Sequence, residues 1–324
     1  MAGREAGQPG VVVSIVGPTA SGKTELAIAL AQRLGTEVVN ADARQVFRGM
    51  AIGTAQPTAA ERTAVTHHLV DFLEPSQLYS AGLFEEDAVP LLERLCRERG
   101  CAVLAGGSGM YVMAALEGLD DLPADLELRR QLNDEVETLG LPHLVSRLQA
   151  LDPGHTATMD TSNPQRVVRA LEVCLTSGKP FSSFHSGIAK PRPWNVVKVG
   201  LDPNREELRH RIAVRAQSMM EAGWLEEAKA LLPHRNTNAL NTVGYKELFE
   251  HMDGTMTLEQ AVELIVTHTR QFAKRQRTWF RKDSDITWFG YDSLTRSAAF
   301  ESAAEFVVAE VRRIQSSTNP TRES

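Results

Sequence analysis

The run Gly17-Pro18-Thr19-Ala20-Ser21-Gly22-Lys23-Thr24 fits the pattern G-x-x-x-x-G-K-[ST] in full, and its residue types suit one task, holding an anion. Glycines let successive backbone N–H groups turn inward, Lys23 neutralises phosphate oxygens, and the Thr24 hydroxyl can ligate Mg²⁺. Such a cradle does not name a reaction, because ATP hydrolysis, kinase transfer and diphosphate departure all use one. A second feature is Asp42, in Asn40-Ala41-Asp42-Ala43-Arg44-Gln45. A carboxylate beside an anion site repels the ligand unless it accepts a proton or holds a metal; the plain alternative is a helix cap or turn former. A third is Gly106-Gly107-Ser108-Gly109, which permits close backbone approach to a ligand with Ser108 as donor, or is a simple Gly-rich turn.

These residues do chemistry together only if the fold brings them together. Val11 to Val16 is nearly continuous in hydrophobicity and β-branched, as expected of a strand buried on both faces. A helix with Leu26, Ala29, Leu30 and Leu34 follows and stops at Gly35; Val38–Asn40 is a second strand, a helical stretch runs from about Phe84 to Arg99, and Cys101–Ala105 is a third strand. Strand and helix alternate, which predicts an α/β fold: a P-loop parallel sheet with helices on both faces. In such a sheet the carboxyl ends of all strands share one edge, so Asp42 and Ser108 are expected to face the phosphate loop.

From about Asp120 to Pro193 the texture changes to charged helical segments, Leu126–Gln149 and Pro164–Leu175, which predicts a mainly helical insertion domain. The strand pattern returns at Trp194–Leu201, helices resume from Glu206, Thr257 and Gln260 suggest a capping box before Ala261, Leu264, Ile265, His268 and Phe272, and Ile286–Phe289 is a late strand. The expected division is a catalytic core of 10–119 and 194–315, an insertion of 120–193, and a disordered tail of 316–324.

The chain has 324 residues with 35 Lys+Arg against 41 Asp+Glu, a net charge of −6, and 42 % hydrophobic residues. That excludes collagen, coiled coil and wholesale disorder, and the length allows about two domains, or one large α/β domain with an insertion. No apolar run approaches the roughly 20 residues that span a bilayer. The first ten residues lack an apolar signal-peptide centre, and Cys96, Cys101 and Cys174 form no disulfide or metal framework, so a reduced, cytoplasmic protein is expected; a monomer is the expectation for its assembly. His67-His68 lacks partner ligands at useful spacing and reads as packing or capping.

Seven blocks, in one order over nearly the whole chain, resemble the tRNA dimethylallyltransferase (tRNA isopentenyltransferase) family, in its bacterial form without a C-terminal zinc finger. They are GPTASGKT from Gly17, NADARQVFRGMAIGTAQP from Asn40, HHLVDFLEP from His67, AGGSGMYV from Ala105, NPQRVVRALEV from Asn163, VGYKEL from Val243 and RQFAKRQRTWFRK from Arg270. The resemblance implies transfer of a dimethylallyl group from dimethylallyl diphosphate to N6 of the adenine next to the tRNA anticodon. On that resemblance Gly17 to Thr24 hold the diphosphate, Lys23 and Thr24 act on it with Mg²⁺, and Asp42 is the general base. The implied tRNA contacts are Asp42, Ala43, Arg44, Gln45, Ser108, Arg129, Gln165, Arg166, Val167, Val168 and Arg169, with Gln45 reading the adenine edge. The family often has Ser at Ala43, Thr at Ser108 and Lys at Gln56.

Arg270, Lys274, Arg277 and Arg281 recur at i, i+4, i+7 and i+11 with no acid between Arg270 and Lys282, a cationic stripe suited to an RNA backbone. Phe272, Trp279 and Phe280 are expected to anchor its other side. Rival readings are a P-loop small-molecule kinase, a prenyltransferase acting on free AMP or ADP, and a non-catalytic RNA-binding protein. The kinase predicts ATP turnover; the other two leave either the stripe or the set Lys23, Thr24 and Asp42 without a purpose.

Overall fold

The computed structural model describes residues 10–184 and 187–317. Residues 1–9, on which the expectation of no signal peptide rests, and 318–324 of the expected tail lie outside the described residues. The chain divides into two compact units, 1–117 with 191–324 and 118–190.

In the first unit the order is β1 (Gly10–Val16), α1 (Lys23–Leu34), β2 (Val38–Asn40), α2 (Ala59–Ala64), β3 (His67–His68), α3 (Ala81–Arg99), β4 (Cys101–Ala105) and α4 (Gly109–Leu116). The second unit holds α5 (Leu126–Leu139), α6 (Leu141–Leu151), α7 (Pro153–Thr158) and α8 (Pro164–Ser177). The first unit then resumes with β5 (Trp194–Pro203), α9 (Arg205–Glu221), α10 (Trp224–Ala230), α11 (Tyr245–Met252), α12 (Leu258–Phe280), β6 (Thr287–Tyr291) and α13 (Arg296–Ser317).

The six strands form one parallel sheet in the order β3-β2-β4-β1-β5-β6. β1 is central and every one of its residues is buried, which is why it reads as an unbroken apolar run rather than an alternating one. Its side chains alternate between two cores. Val11, Val13 and Ile15 pack with Leu26 and Leu30 of α1 and Val307 and Val311 of α13. Val12 and Val16 pack with Phe84 and Leu92 of α3 and Tyr111 of α4. Burying a Val or Leu side chain contributes roughly 1.5–3 kcal/mol, so these layers dominate the stability of the sheet. A third cluster joins α10, α11 and α12 through Trp224, Tyr245, Leu248 and Ile265 to Val46, Phe47 and Met50, fixing the segment after β2.

Several boundaries differ from the sequence reading, each for a local reason. α3 starts at Ala81 because the Ser80 hydroxyl accepts from Leu83 N–H. The stretch 126–149 is two helices, divided at Gly140, whose φ of 83° breaks the helical path ahead of Pro142. His67-His68 forms a short edge strand, with His67 Nδ1 against Val65 O at 2.8 Å and His68 Nε2 against Glu37 Oε2 at 2.6 Å. Ser316 and Ser317, expected in the tail, close α13 instead. The capping box at Thr257 and Gln260 is present, starting α12.

The helical unit has its own core of Leu132, Leu144, Leu148, Val167, Val168 and Leu171. Glu172, fully buried, sits at its heart: Arg129 donates two hydrogen bonds to it at 2.8 and 3.0 Å, Arg169 approaches at 3.0 Å, and Asp125 N–H donates at 2.9 Å. Burial opposes the charge on Glu172, but the hydrogen bonds and the arginines prevail and hold its pKa below the ordinary range.

Candidate active site

The phosphate loop leaves β1 at the sheet centre, where strand order runs to β4 on one side and β5 on the other, the place at which open parallel sheets bind ligands. Gly22 precedes α1 with φ of 84°, a backbone conformation that glycine adopts without strain, and Ala20 in the same loop holds φ of 63°. Neighbouring elements pin the loop in this shape. Arg211 of α9 donates to Ala20 O at 2.7 Å, Tyr291 of β6 donates to Ser21 O at 2.8 Å, and Gln276 of α12 bridges two loops. Its Oε1 accepts from Thr19 N–H at 2.7 Å and its Nε2 donates to Gly107 O at 2.9 Å. Gly107 is needed for that bridge, since an added Cβ would lie 2.3 Å from Gln276 Nε2.

Asp42 stands just after β2. Its Oδ1 accepts from Arg44 N–H at 2.9 Å, so the turn-forming role is real, while Oδ2 has no hydrogen-bond partner among the described residues. Ser108 Oγ accepts from Ala43 N–H at 2.9 Å and Ser108 N–H donates to Ala41 O at 3.2 Å, tying the loop after β2 to the loop after β4. Asp42 lines a cavity of about 690 Å³ together with Lys23, Thr24, Gly107, Arg211 and Arg215. It also lines a second cavity of about 660 Å³ with Arg44, Ser108, Trp224, Phe272 and Arg275. Thr19, Ala20, Asp42, Thr54 and Arg215 line both, so Asp42 stands where the cavity beside the phosphate loop meets a second chamber.

Lys23 donates to Pro18 O at 2.8 Å. Burial pulls its pKa down to about 8, Asp42 counteracts and Arg215 adds to the fall. The ammonium is therefore mostly charged at pH 7 and easily discharged above pH 8.

Sequence reasoning brought Gly17 to Thr24, Asp42, Ala43, Arg44, Gln45 and Ser108 to one place, and the structure puts them there. Arg44 and Gln45 are held by the protein itself: Arg44 donates to Asn238 O at 2.7 Å, and Gln45 Nε2 donates to Thr54 O and Ala55 O at 3.1 and 2.9 Å. Where a family Lys was expected, Gln56 is buried and donates to Gln45 O and Phe47 O, with Arg62 donating to its Oε1 at 3.1 Å. In the helical unit, Gln165 and Arg166 are exposed, but Val167 and Val168 are core residues and Arg129 and Arg169 are engaged by Glu172. Of these positions, Gln165 and Arg166 present their side chains to solvent, while the other four are taken up by the core and by Glu172.

The stripe on α12 is partly engaged within the protein. Arg277 and Arg281 both pair with Asp202 of β5, Arg277 donates to Pro203 O at 2.6 Å, and Arg281 lies 4.5 Å over the Trp288 ring. One acid, supplied by a strand and not by the helix, thus faces two of the four cations and leaves a net positive charge on the pair. Arg270 and Lys274 are exposed with no acid partner among the described residues. Of the expected anchors only Phe280 is buried; Phe272 and Trp279 are 39 and 38 % exposed.

Arg211, Arg215 and Gln276 were not foreseen. Gln276 had a signal, a polar residue in register with Ala273 and Phe280 on the buried side of α12. Arg215 had none, since its role depends on how α9 packs.

The IPP transferase model matches residues 45–283. The chain belongs to the IPP transferase family. It is 46 % identical over 287 residues to a tRNA dimethylallyltransferase of Christiangramia forsetii, covering 88 % of this chain and 95 % of that one. A second, from Cytophaga hutchinsonii, is 44 % identical over 293 residues, covering 90 and 96 %. Among solved structures, the full-length tRNA isopentenylpyrophosphate transferase of Bacillus halodurans superposes with a TM-score of 0.70 at 35 % identity, covering 95 % of this IPP transferase chain and 99 % of the other. A eukaryotic dimethylallyltransferase acting on tRNA shares the fold, with a TM-score of 0.80 at 24 % identity over 97 and 81 % of the two chains.

Proposed function

We propose that the protein transfers the dimethylallyl group of dimethylallyl diphosphate to N6 of the adenine beside the tRNA anticodon, working as a monomer in the cytoplasm. Membership of the family and the names of its relatives support the reading, and no helix among the described residues is long and apolar enough to cross a membrane. The observation that carries the mechanism is Asp42 on the wall shared by two cavities, with one oxygen engaged and the other unpartnered.

On this reading the diphosphate occupies the cradle of the first cavity and the adenine enters the second. The N6 lone pair forms the bond to C1 of the prenyl group as the C1–O bond breaks. The N6 proton goes to Asp42 and the electron pair of the broken bond leaves with the diphosphate. An amine conjugated with a purine is a poor nucleophile, so a positioned base lowers the barrier. Lys23, Arg215 and the loop amides stabilise the negative charge that builds on the leaving group.

Mg²⁺ fits this donor set as a substrate-borne ion. No group of three metal-ligating His, Cys, Asp or Glu exists among the described residues, and Mg²⁺ on phosphates ordinarily takes only one or two protein ligands. Thr24 would hold it, and the ion would add positive charge to the departing diphosphate.

Incubation with radiolabelled dimethylallyl diphosphate and, in separate arms, unmodified tRNA, free AMP, or a kinase acceptor with ATP tests the reading. Label in tRNA alone is expected. Label in AMP, or phosphate transfer from ATP, would overturn it.

A further inference from the structure

Three side chains of α12 that the transfer step leaves unused, His268, Phe272 and Arg275, line the second cavity. Spacings of four and three residues put them on one side of the helix. They are not its packing face, which is Ala261, Ile265, Ala273 and Phe280. Phe272 presents a 39 % exposed ring, and the Arg275 guanidinium carbon lies 5.9 Å from the ring centre. His268 is held from behind: its Nδ1 donates to Glu247 Oε1 at 2.6 Å, and the other oxygen of this buried carboxylate accepts from Gly244 N–H at 2.6 Å. Nε2 of His268 has no partner among the described residues. Lys246 and Glu250 line the same chamber, and Arg270 and Lys274 add cations on the exposed flank of α12.

We propose that His268, Phe272 and Arg275 form a seat for one unpaired nucleotide of the RNA substrate, the neighbour of the adenine that reaches Asp42. An exposed ring with a cation beside it and an orientationally fixed imidazole is the chemistry that recognises a splayed-out base: a face to stack on, a charge for its phosphate, and a nitrogen for its edge. Because Asp42 lines this same chamber, a base delivered to it brings its neighbour into the chamber too. The inference rests on the tRNA reading and adds a second base contact to it.

The test uses the full-length protein and an anticodon stem-loop carrying 2-aminopurine on either side of the target adenine. Phe272→Leu, which keeps apolar bulk but removes the π face, is expected to raise the KM for RNA about tenfold, abolish the fluorescence quench at one flanking position, and leave the KM for dimethylallyl diphosphate unchanged. Phe272→Trp is expected to restore both RNA readouts. A Phe272→Leu protein with wild-type RNA KM and quench overturns the seat while leaving the transfer reading intact, and so does failure of Phe272→Trp to rescue. A wild-type protein that quenches the probe but transfers no label leaves the seat standing and overturns the transfer reading.

Discussion

Two carboxylates in this protein are each surrounded by arginine or lysine, and they have opposite fates. Glu172 in the helical unit is fully buried and accepts hydrogen bonds on both oxygens from Arg129, Arg169 and Asp125 N–H. Asp42 in the sheet unit is half-buried, feels Lys23, Arg44 and Arg215, and keeps Oδ2 unpartnered on the wall of two cavities. A cluster of opposite charges marks a site only when a valence is left over and a ligand can reach it; saturated, the same cluster is a bolt.

That contrast can be broken or sharpened by experiment. Asp42→Asn keeps the turn-forming oxygen but removes the proton acceptor. Transfer to tRNA at saturating substrates is expected to fall by about 10²- to 10⁴-fold, with tRNA binding and melting temperature unchanged; turnover within about threefold of wild type would place Asp42 beside Glu172 as a structural residue. Glu172→Ala should do the reverse. Two arginines would lose their buried partner, destabilising the protein by about 3–5 kcal/mol in chemical denaturation while the folded fraction retains its turnover. Acid probes the same carboxylate. Its pKa is lowered in the folded state, so the stability it contributes is complete above the ordinary glutamate range and is lost as pH falls through the lowered value, an effect that Glu172→Gln should remove.

Lys23 supplies a smaller effect with a defined sign. Its folded pKa of about 8 must rise when a diphosphate binds, so binding takes up a proton above pH 8. Affinity for dimethylallyl diphosphate should therefore drop by up to about tenfold per pH unit from pH 8 upward in titration calorimetry, and Lys23→Arg should flatten that profile. The smallest expected change separates the free and tied halves of the α12 stripe. Lys274→Ala should reduce the slope of log affinity for tRNA against log salt by about 0.7–0.9, whereas Arg281→Ala, whose guanidinium shares Asp202 with Arg277 and lies over Trp288, should change it less.

The sheet and the cradle were legible because their signals are local. An unbroken β-branched run, a loop motif and a helix with a glycine stop each lie within a few residues, and the parallel topology then carries Asp42 and Ser108 to the same edge without further information. The stripe was only half legible because ion pairing is not local. Asp202 lies 75 residues before Arg277 in sequence and meets it only because the fold brings the end of β5 beside the end of α12. The burial of Val167 and Val168 was legible by another route: a block that resembles a family's RNA-contacting segment contains its scaffold too, and helical periodicity alone puts both on the apolar side with Leu171 and Cys174. Arg215 and Gln276 belong to helices far along the chain, and only the third dimension brings them to the loop.

Gln276 grips Thr19 N–H with one end of its amide and Gly107 O with the other, and it rides on the same rod that presents Arg270 and Lys274 to solvent. At about 1.5 Å of rise per residue those cations are within roughly 9 Å of it along the axis. Gln276 lines the first cavity, and Gln271, Phe272 and Arg275 of the same helix line the second. One helix therefore walls both chambers, so where it sits sets the shape of the two together.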